Sequence, residues 1–193
     1  MKKILIIDNK TDDIKSIYTA CKHFGYEYKT VSAQQVRSIN LEIFDIILLT
    51  GGIWYDDPAQ QAQHYADELN LITKTKQPVL GICLGMQLIA TAFGGQATRI
   101  RREHHGRREV RLTDYGKKLL GLGDEKMLVF ENHSIGIIDL PDNFDTLAKS
   151  NECIEMIKHK SLPIVGVQFH PEKFNKQQHA DDMWKSILWL IEK

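Results

Sequence analysis

Pro78-Val79-Leu80-Gly81-Ile82-Cys83, followed by Leu84-Gly85-Met86-Gln87-Leu88-Ile89-Ala90-Thr91-Ala92-Phe93, is the stretch that decides the fold. Its first half is a short apolar run of the kind that forms a strand covered on both faces. Its second half reads as a helix, closed by Gly94-Gly95. Between them stands Gly81-x-Cys83-x-Gly85, the spacing of a nucleophile elbow. In such an elbow the central residue sits on a sharp, strained strand-to-helix turn. The small residues two before and two after it let neighbouring chains approach. The first amides of the helix and its dipole then point at the side chain, which favours a thiolate. A buried structural cysteine between two packing glycines gives the same pattern, so the pentapeptide alone does not decide.

Working outward, Lys3–Asp8 (KILIID) and Phe44–Thr50 (FDIILLT) are further buried-type strands, and Tyr26–Val31 is another. Ile14, Ile17, Tyr18, Cys21 and Phe24 fall at helical spacing before Gly25, and Ala62, Tyr65, Ala66, Leu69 and Ile72 mark a second amphipathic helix. This alternation predicts an α/β fold, a mostly parallel sheet with helices on both faces. After Gly95 the texture changes. Gln96–Ile100, Arg107–Leu112, Lys126–Phe130, Thr146–Lys149, Ile154–Ile157 and Ile164–Phe169 read as short strands parted by turns. They predict an antiparallel extension of the sheet. Met183, Trp184, Ile187, Leu188 and Ile191 form a closing helix, in which Trp184 and Trp189 are expected to pack. No linker, repeat or low-complexity tract divides residues 1–193, so a single domain is expected.

The 193 residues are 42% hydrophobic and 26% charged, with 25 Lys+Arg against 25 Asp+Glu. That is the composition of an ordinary globular protein and argues against a wholesale polyanion binder. Cys21, Cys83 and Cys153 are few, odd in number and widely spaced, with no paired metal-ligand motif. Cys21 and Cys153 stand at apolar-periodic positions and are expected in the core. A reducing compartment follows from the cysteine usage. No signal peptide is recognised at MKKILIIDNK, where Asp8 interrupts the apolar run, and no segment approaches the roughly 18 apolar residues of a membrane span. A cytoplasmic protein that does not enter the membrane is expected.

Gly166-Val167-Gln168-Phe169-His170-Pro171-Glu172 changes the weight of the elbow. It begins as a strand and places His and Glu two apart, where alternate residues of an extended chain share a face. Pro171 keeps His170 out of helical angles. A cysteine, a histidine and a carboxylate that orients the histidine form an activated nucleophile. Gly51-Gly52, directly after the Phe44–Thr50 strand, puts bare backbone at the same sheet edge, where sites of open α/β sheets form. A plain turn would read the same. As a site element, its amide could join that of Leu84 as an oxyanion hole.

GICLGMQ, the paired glycines and QFHPE, in this order and spacing, resemble the class I (triad) glutamine amidotransferases over nearly the whole chain. The resemblance implies a flavodoxin-like three-layer fold and a glutaminase site that releases ammonia from L-glutamine for a separate synthetase, with no cofactor and no metal. It implies Cys83 as nucleophile, His170 as general base and acid, and Glu172 as the group that orients His170. The amides of Gly52 and Leu84 become the oxyanion hole. Gln87 matches a position that contacts glutamine, and Asn132-His133-Ser134-Ile135 matches the stretch that holds its α-amino and carboxylate groups, largely through backbone. Many members follow the paired glycines with proline, where this chain has Ile53-Trp54-Tyr55-Asp56-Asp57-Pro58. Length and strand pattern are similar to the stand-alone glutaminase subunit of GMP synthase. Met86 and HPEK resemble imidazole glycerol phosphate synthase, and His133-Ser134 the anthranilate synthases.

Six of the seven arginines lie in 99–111. A solvated hairpin, docking of an acidic synthetase surface through Arg101, Arg102, Arg107 and Arg108, and binding of nucleic acid or a phosphorylated ligand are the three readings, with nucleic acid the least expected. His104-His105 are adjacent on a strand and point to opposite faces, which argues against chelation by the pair. Asp12-Asp13 reads as a helix N-terminus, and loop residue Trp54 as a lining of the site or of a partner contact. With no room for a synthetase domain and no Walker-type loop, the acceptor chemistry is expected on another polypeptide. A γ-glutamyl hydrolase with no ammonia acceptor, or a non-catalytic regulatory homologue, is the alternative.

Overall fold

The structure is a computed structural model that describes residues 1–121, 123, 125–173 and 180–191. In chain order, β1 (Lys3–Asn9) leads through α1 (Ile14–His23) to β2 (Glu27–Ser32), and two short 3-10 turns lead to β3 (Ile46–Gly52). Helices α2 (Pro58–His64) and α3 (Ala66–Lys74) precede β4 (Val79–Ile82) and α4 (Leu84–Ala92). Then come β5 (Gln96–Leu112), α5 (Asp114–Leu120), β6 (Lys126–Asp139), β7 (Phe144–Lys149), β8 (Ile154–His159), β9 (Ile164–Val167) and α6 (Ala180–Ile191).

Five strands are parallel, in the order β2-β1-β3-β4-β9. Their continuous apolar runs have a physical cause, since both faces are covered. Ile4, Ile6, Ile46, Leu48, Leu80 and Ile82 pack with Ile17 and Cys21 of α1 and with Trp184, Ile187 and Ile191 of α6. The alternate residues Leu5, Ile7, Ile47, Leu49 and Val79 pack with Leu71 and Ile72 of α3 and Leu88 and Ile89 of α4.

The antiparallel part corrects the expected extension of a mostly parallel sheet. β8 joins β9, and the strands then close on themselves, since β8 pairs β6, β6 pairs β5, β5 pairs β7 and β7 pairs β8. The two strands expected within 96–112 are one, β5, whose register against β6 slips between Arg99 and His104. The arginine segment is therefore no free hairpin but one long strand. The single helix expected over Ala62–Ile72 is two, broken at Tyr65, whose hydroxyl donates to the Ile53 carbonyl at 2.6 Å. That bond pins the loop after Gly52. Helix α5 was not expected, although Thr113 caps it by accepting from the Gly116 amide at 2.9 Å and Gly121 ends it in the left-handed region. Trp184 is core, whereas Trp189 is exposed. Among the described residues no helix is long and apolar enough to cross a membrane.

Candidate active site

The elbow is built as the glycine spacing requires. Cys83 has φ +52° and ψ −106°, a sparsely populated positive-φ conformation that costs a side-chain residue on the order of 1–3 kcal/mol. It is held because Cys83 N–H donates to the Val167 carbonyl at 2.8 Å and its carbonyl accepts from Gln87 N–H as α4 starts. A Cβ on Gly81 would lie 2.5 Å from the Gly85 carbonyl carbon, and one on Gly85 would lie 2.4 Å from the Leu49 carbonyl oxygen. Both positions are therefore closed to any side chain.

His170 follows β9, its amide donating to the Phe130 carbonyl of β6 at 2.9 Å. Its Nδ1 lies 2.8 Å from Glu172 Oε1, and both side chains are at least nine-tenths buried. A carboxylate on Nδ1 fixes the proton there and leaves Nε2 for Cys83, with which the ring interacts. Burial disfavours the imidazolium, but Glu172 and Cys83 outweigh it and raise His170 well above the ordinary imidazole value.

Cys83, His170 and Glu172 line a cavity of about 270 Å³ with Gly51, Gly52, Ile53, His105, Phe130 and Asn132. An adjoining cavity of about 320 Å³ is lined by Gly52, Trp54, Cys83, Leu84, Gln87, Asn132, His133, Ser134 and Ile135. Gly52 must be glycine, since a Cβ there would lie 2.0 Å from the Asn9 carbonyl oxygen. The structure thus gathers every site residue read from the sequence except the arginines. Among those, Arg99 borders the second cavity and pairs with Asp56 at 2.6 Å, while Arg101, Arg102, Arg107 and Arg108 are exposed along β5. Asp13 caps α1, accepting from Ser16, and pairs with Lys173 beside the first cavity.

Two expected residues have side chains engaged elsewhere. Gln87 is buried, and its Nε2 donates to the Ile135 carbonyl at 3.0 Å and to Gln168 Oε1 at 3.2 Å. The His133 ring is turned onto Glu131 and the Ile135 carbonyl, so only its backbone is available to a substrate in the way the sequence reading supposed. Cys153 is buried as expected, but beside Glu155 rather than in an apolar core. Two residues were missed. Buried Gln168 donates from Nε2 to Cys83 Sγ at 3.5 Å, which ties the nucleophile to Gln87 and Ile135. His105 pairs with Asn132 at 3.0 Å on the cavity wall. Gln168 lies two residues before His170, so strand alternation could have placed both toward Cys83. No sequence signal marks His105.

Fold and site together define a class, an α/β protein with a Cys–His–Glu constellation at the carboxyl edge of its parallel strands. A model of the class-I glutamine amidotransferases matches residues 5–187. The chain belongs to that family. It is 33% identical over 194 residues to a glutamine-hydrolysing GMP synthase subunit of Pyrococcus abyssi, covering 97% of each chain. It is 34% identical over 174 residues to the same-named subunit of Methanocaldococcus jannaschii, covering 88% of this chain and 87% of that one. A crystal structure described as that of a putative GMP synthase subunit, from Thermoplasma acidophilum, matches with a TM-score of 0.85 at 27% identity. It spans 100% of this chain and 94% of that one.

Proposed function

We propose that this chain is the glutaminase subunit of a two-chain GMP synthase. It hydrolyses L-glutamine to L-glutamate and ammonia, and passes the ammonia to a separate synthetase subunit. The observation that carries the chemistry is Cys83, held at positive φ in one cavity with a His170–Glu172 pair at 2.8 Å. The acceptor reading rests on the names of the relatives.

The Cys83 thiolate attacks the side-chain amide carbon of glutamine. The resulting oxyanion is held by the backbone amides of Gly52 and Leu84. His170, protonated on Nε2, gives its proton to the amide nitrogen, and the C–N bond breaks to release ammonia and leave a γ-glutamyl thioester. His170, now neutral, takes a proton from water as that water attacks the thioester, and Cys83 departs as thiolate. Asn132, His133, Ser134 and Ile135 hold the amino acid end of the substrate. Gln87 acts by positioning Ile135 and Gln168.

The same reading makes 1–193 one cytoplasmic domain whose parallel strands, with order 2-1-3-4 and then β9, are flavodoxin-like. Arg101, Arg102, Arg107 and Arg108 form the docking strip for an acidic face of the synthetase. The test is glutamine turnover by the chain combined with a GMP synthase synthetase subunit. Cys83→Ala is expected to abolish glutamine-dependent turnover while free ammonia still supports synthesis. Unchanged glutamine turnover would overturn the assignment.

A further inference from the structure

A second buried polar cluster lies where β5, β6 and β8 meet, and the glutaminase reaction does not use it. His104 comes from β5, Glu131 and His133 from β6, Cys153 from the turn before β8, and Glu155 from β8. All five are buried. Alternation along β6 explains the placement, since Asn132 faces the site cavity while Glu131 and His133 leave the opposite face. The adjacent pair His104-His105 does not chelate, because His105 is exposed and bonded to Asn132. His104 instead finds its partners on other strands.

One donor atom from each of His104, His133, Cys153 and Glu155 lies within 4.8 Å of the other three. Zinc bonds of about 2.0–2.3 Å in a tetrahedron put donors roughly 3.3–3.8 Å apart, so these atoms need draw in by only about 1 Å. The proton positions fit as well. His133 Nδ1 lies 2.8 Å from the Ile135 carbonyl oxygen, which only accepts, so Nδ1 carries a proton and Nε2 presents its lone pair inward. Glu131 Oε2 sits against that same Nε2. A lone pair facing a carboxylate needs positive charge between or beside them, and beyond the nearby Arg108 guanidinium that charge is a proton or a bound cation. His104 Nε2 is 3.5 Å from Glu152 Oε2, and its Nδ1 is buried without a hydrogen-bond partner, with the side chain 4% exposed. His133 is thus fixed through Nδ1 by a carbonyl oxygen, as metal-binding histidines are, and an ion on its Nε2 would take the place of the Glu131 contact, whereas His104 Nδ1 is without a partner.

Glu131 Oε1 and Glu155 Oε2 make no hydrogen bond of good geometry among the described residues, the two carboxyl groups face each other, and the Ser150 hydroxyl and the Arg108 guanidinium are the polar groups beside them. Cys153 Sγ lies 3.2 Å from Glu155 Oε1. Buried charges are tolerated when paired or bound to a metal. A divalent ion with one thiolate, one carboxylate and two neutral imidazoles is an electrically neutral set. Sulfur with two imidazoles favours zinc over magnesium or calcium. A cavity of about 500 Å³ adjoins the cluster, lined by His104, Glu131, Glu152 and Glu155 together with Arg102, Arg107, Arg108 and Arg111.

We propose that His104, His133, Cys153 and Glu155 form a zinc site, with Glu131 packed against His133. The site touches the substrate strand through one atom, because the Ile135 carbonyl accepts both from His133 Nδ1 and from Gln87 Nε2.

The test uses the full chain, stripped with a chelator and titrated with Zn²⁺, and with Co²⁺ as the optical probe. About one metal ion per chain is expected, with an intense tetrahedral Co²⁺ spectrum and a thiolate-to-metal band that Zn²⁺ displaces. Cys153→Ser should remove that band and Cys83→Ser should leave it. His104→Gln should weaken binding by more than the roughly 10- to 100-fold that removing an outer partner of a metal ligand costs. Zn²⁺ at a hundredfold excess over its dissociation constant should raise the thermal midpoint of the unsubstituted chain by about 5–10 °C. A band that follows Cys83 instead of Cys153 would place the ion in the glutaminase site and overturn the proposal. So would a midpoint that Zn²⁺ does not move, whatever the variants do. That last result would mean that a shared proton holds the two carboxyl groups.

Discussion

Glu172 touches only His170 in the proposed chemistry, so its removal separates orientation from nucleophilicity. Glu172→Gln is expected to lower turnover by about 10²-fold or more with little change in KM. It should also move the His170 titration down toward the ordinary imidazole value, because Glu172 leads the influences that raise it. Steady-state kinetics and histidine NMR check the two halves. Gly52→Ala puts a methyl 2.0 Å from the Asn9 carbonyl oxygen. The loop must shift, and turnover should fall at least tenfold while far-ultraviolet circular dichroism stays native.

A third residue acts on stability. Glu68 is buried, and burial pushes its carboxyl up to about 8 from 4.5. Between those values the unfolded chain has lost the proton and the folded chain keeps it. Stability therefore falls as pH rises, by at most about 1.4 kcal/mol per unit from this group. Denaturant titrations should show Glu68→Gln gaining on the unsubstituted chain from pH 5 to pH 8. Glu68 was invisible in the sequence, since an acidic residue in an amphipathic helix reads as solvated. Cys83, His170 and Glu172 were legible because each lies in a short motif whose backbone geometry dictates where the side chain goes. The place of His105 depends on which strand lies beside it, and that is written nowhere locally.

Among the elements, α4 is the most constrained. Its first turn passes so close to β3 that Gly85→Ala would put a methyl 2.4 Å from the Leu49 carbonyl oxygen. Overpacking of this kind costs about 1–3 kcal/mol, which a lower denaturation midpoint would report. At the other end of the chain, α6 covers one face of the parallel strands through fully buried Trp184, stacked near Phe24. Trp184→Ala should cost about 3–5 kcal/mol. The parallel strands and their helices were readable because buried runs and a 3.6-residue period survive any context. The break at Tyr65 was not, since the apolar period runs straight through it. Only the hydroxyl contact with Ile53 shows why the chain turns there.

For the molecule as a whole, the element types of the second half could be read but not their closure. Partners in an antiparallel set are chosen across long separations, and the corner where β5 meets β7 rests on pairs at Arg111 and Leu112 alone. The proposed docking strip belongs to this scale. Arg101→Glu with Arg107→Glu should abolish co-elution with the synthetase subunit at low salt. The glutamine turnover of the isolated chain should stay unchanged.

The long β5 has one more consequence. It pairs with β6 along one side, but among the described residues its other side, from Gln96 to Val110, meets no strand. An edge of that length, apart from the Arg102 amide that donates to Glu152, is a template on which a second copy could extend the sheet. Two such edges brought together would set one row of arginines against another. Repulsion between such rows disfavours that pairing of like molecules, and an acidic strip on a different protein would reverse the sign.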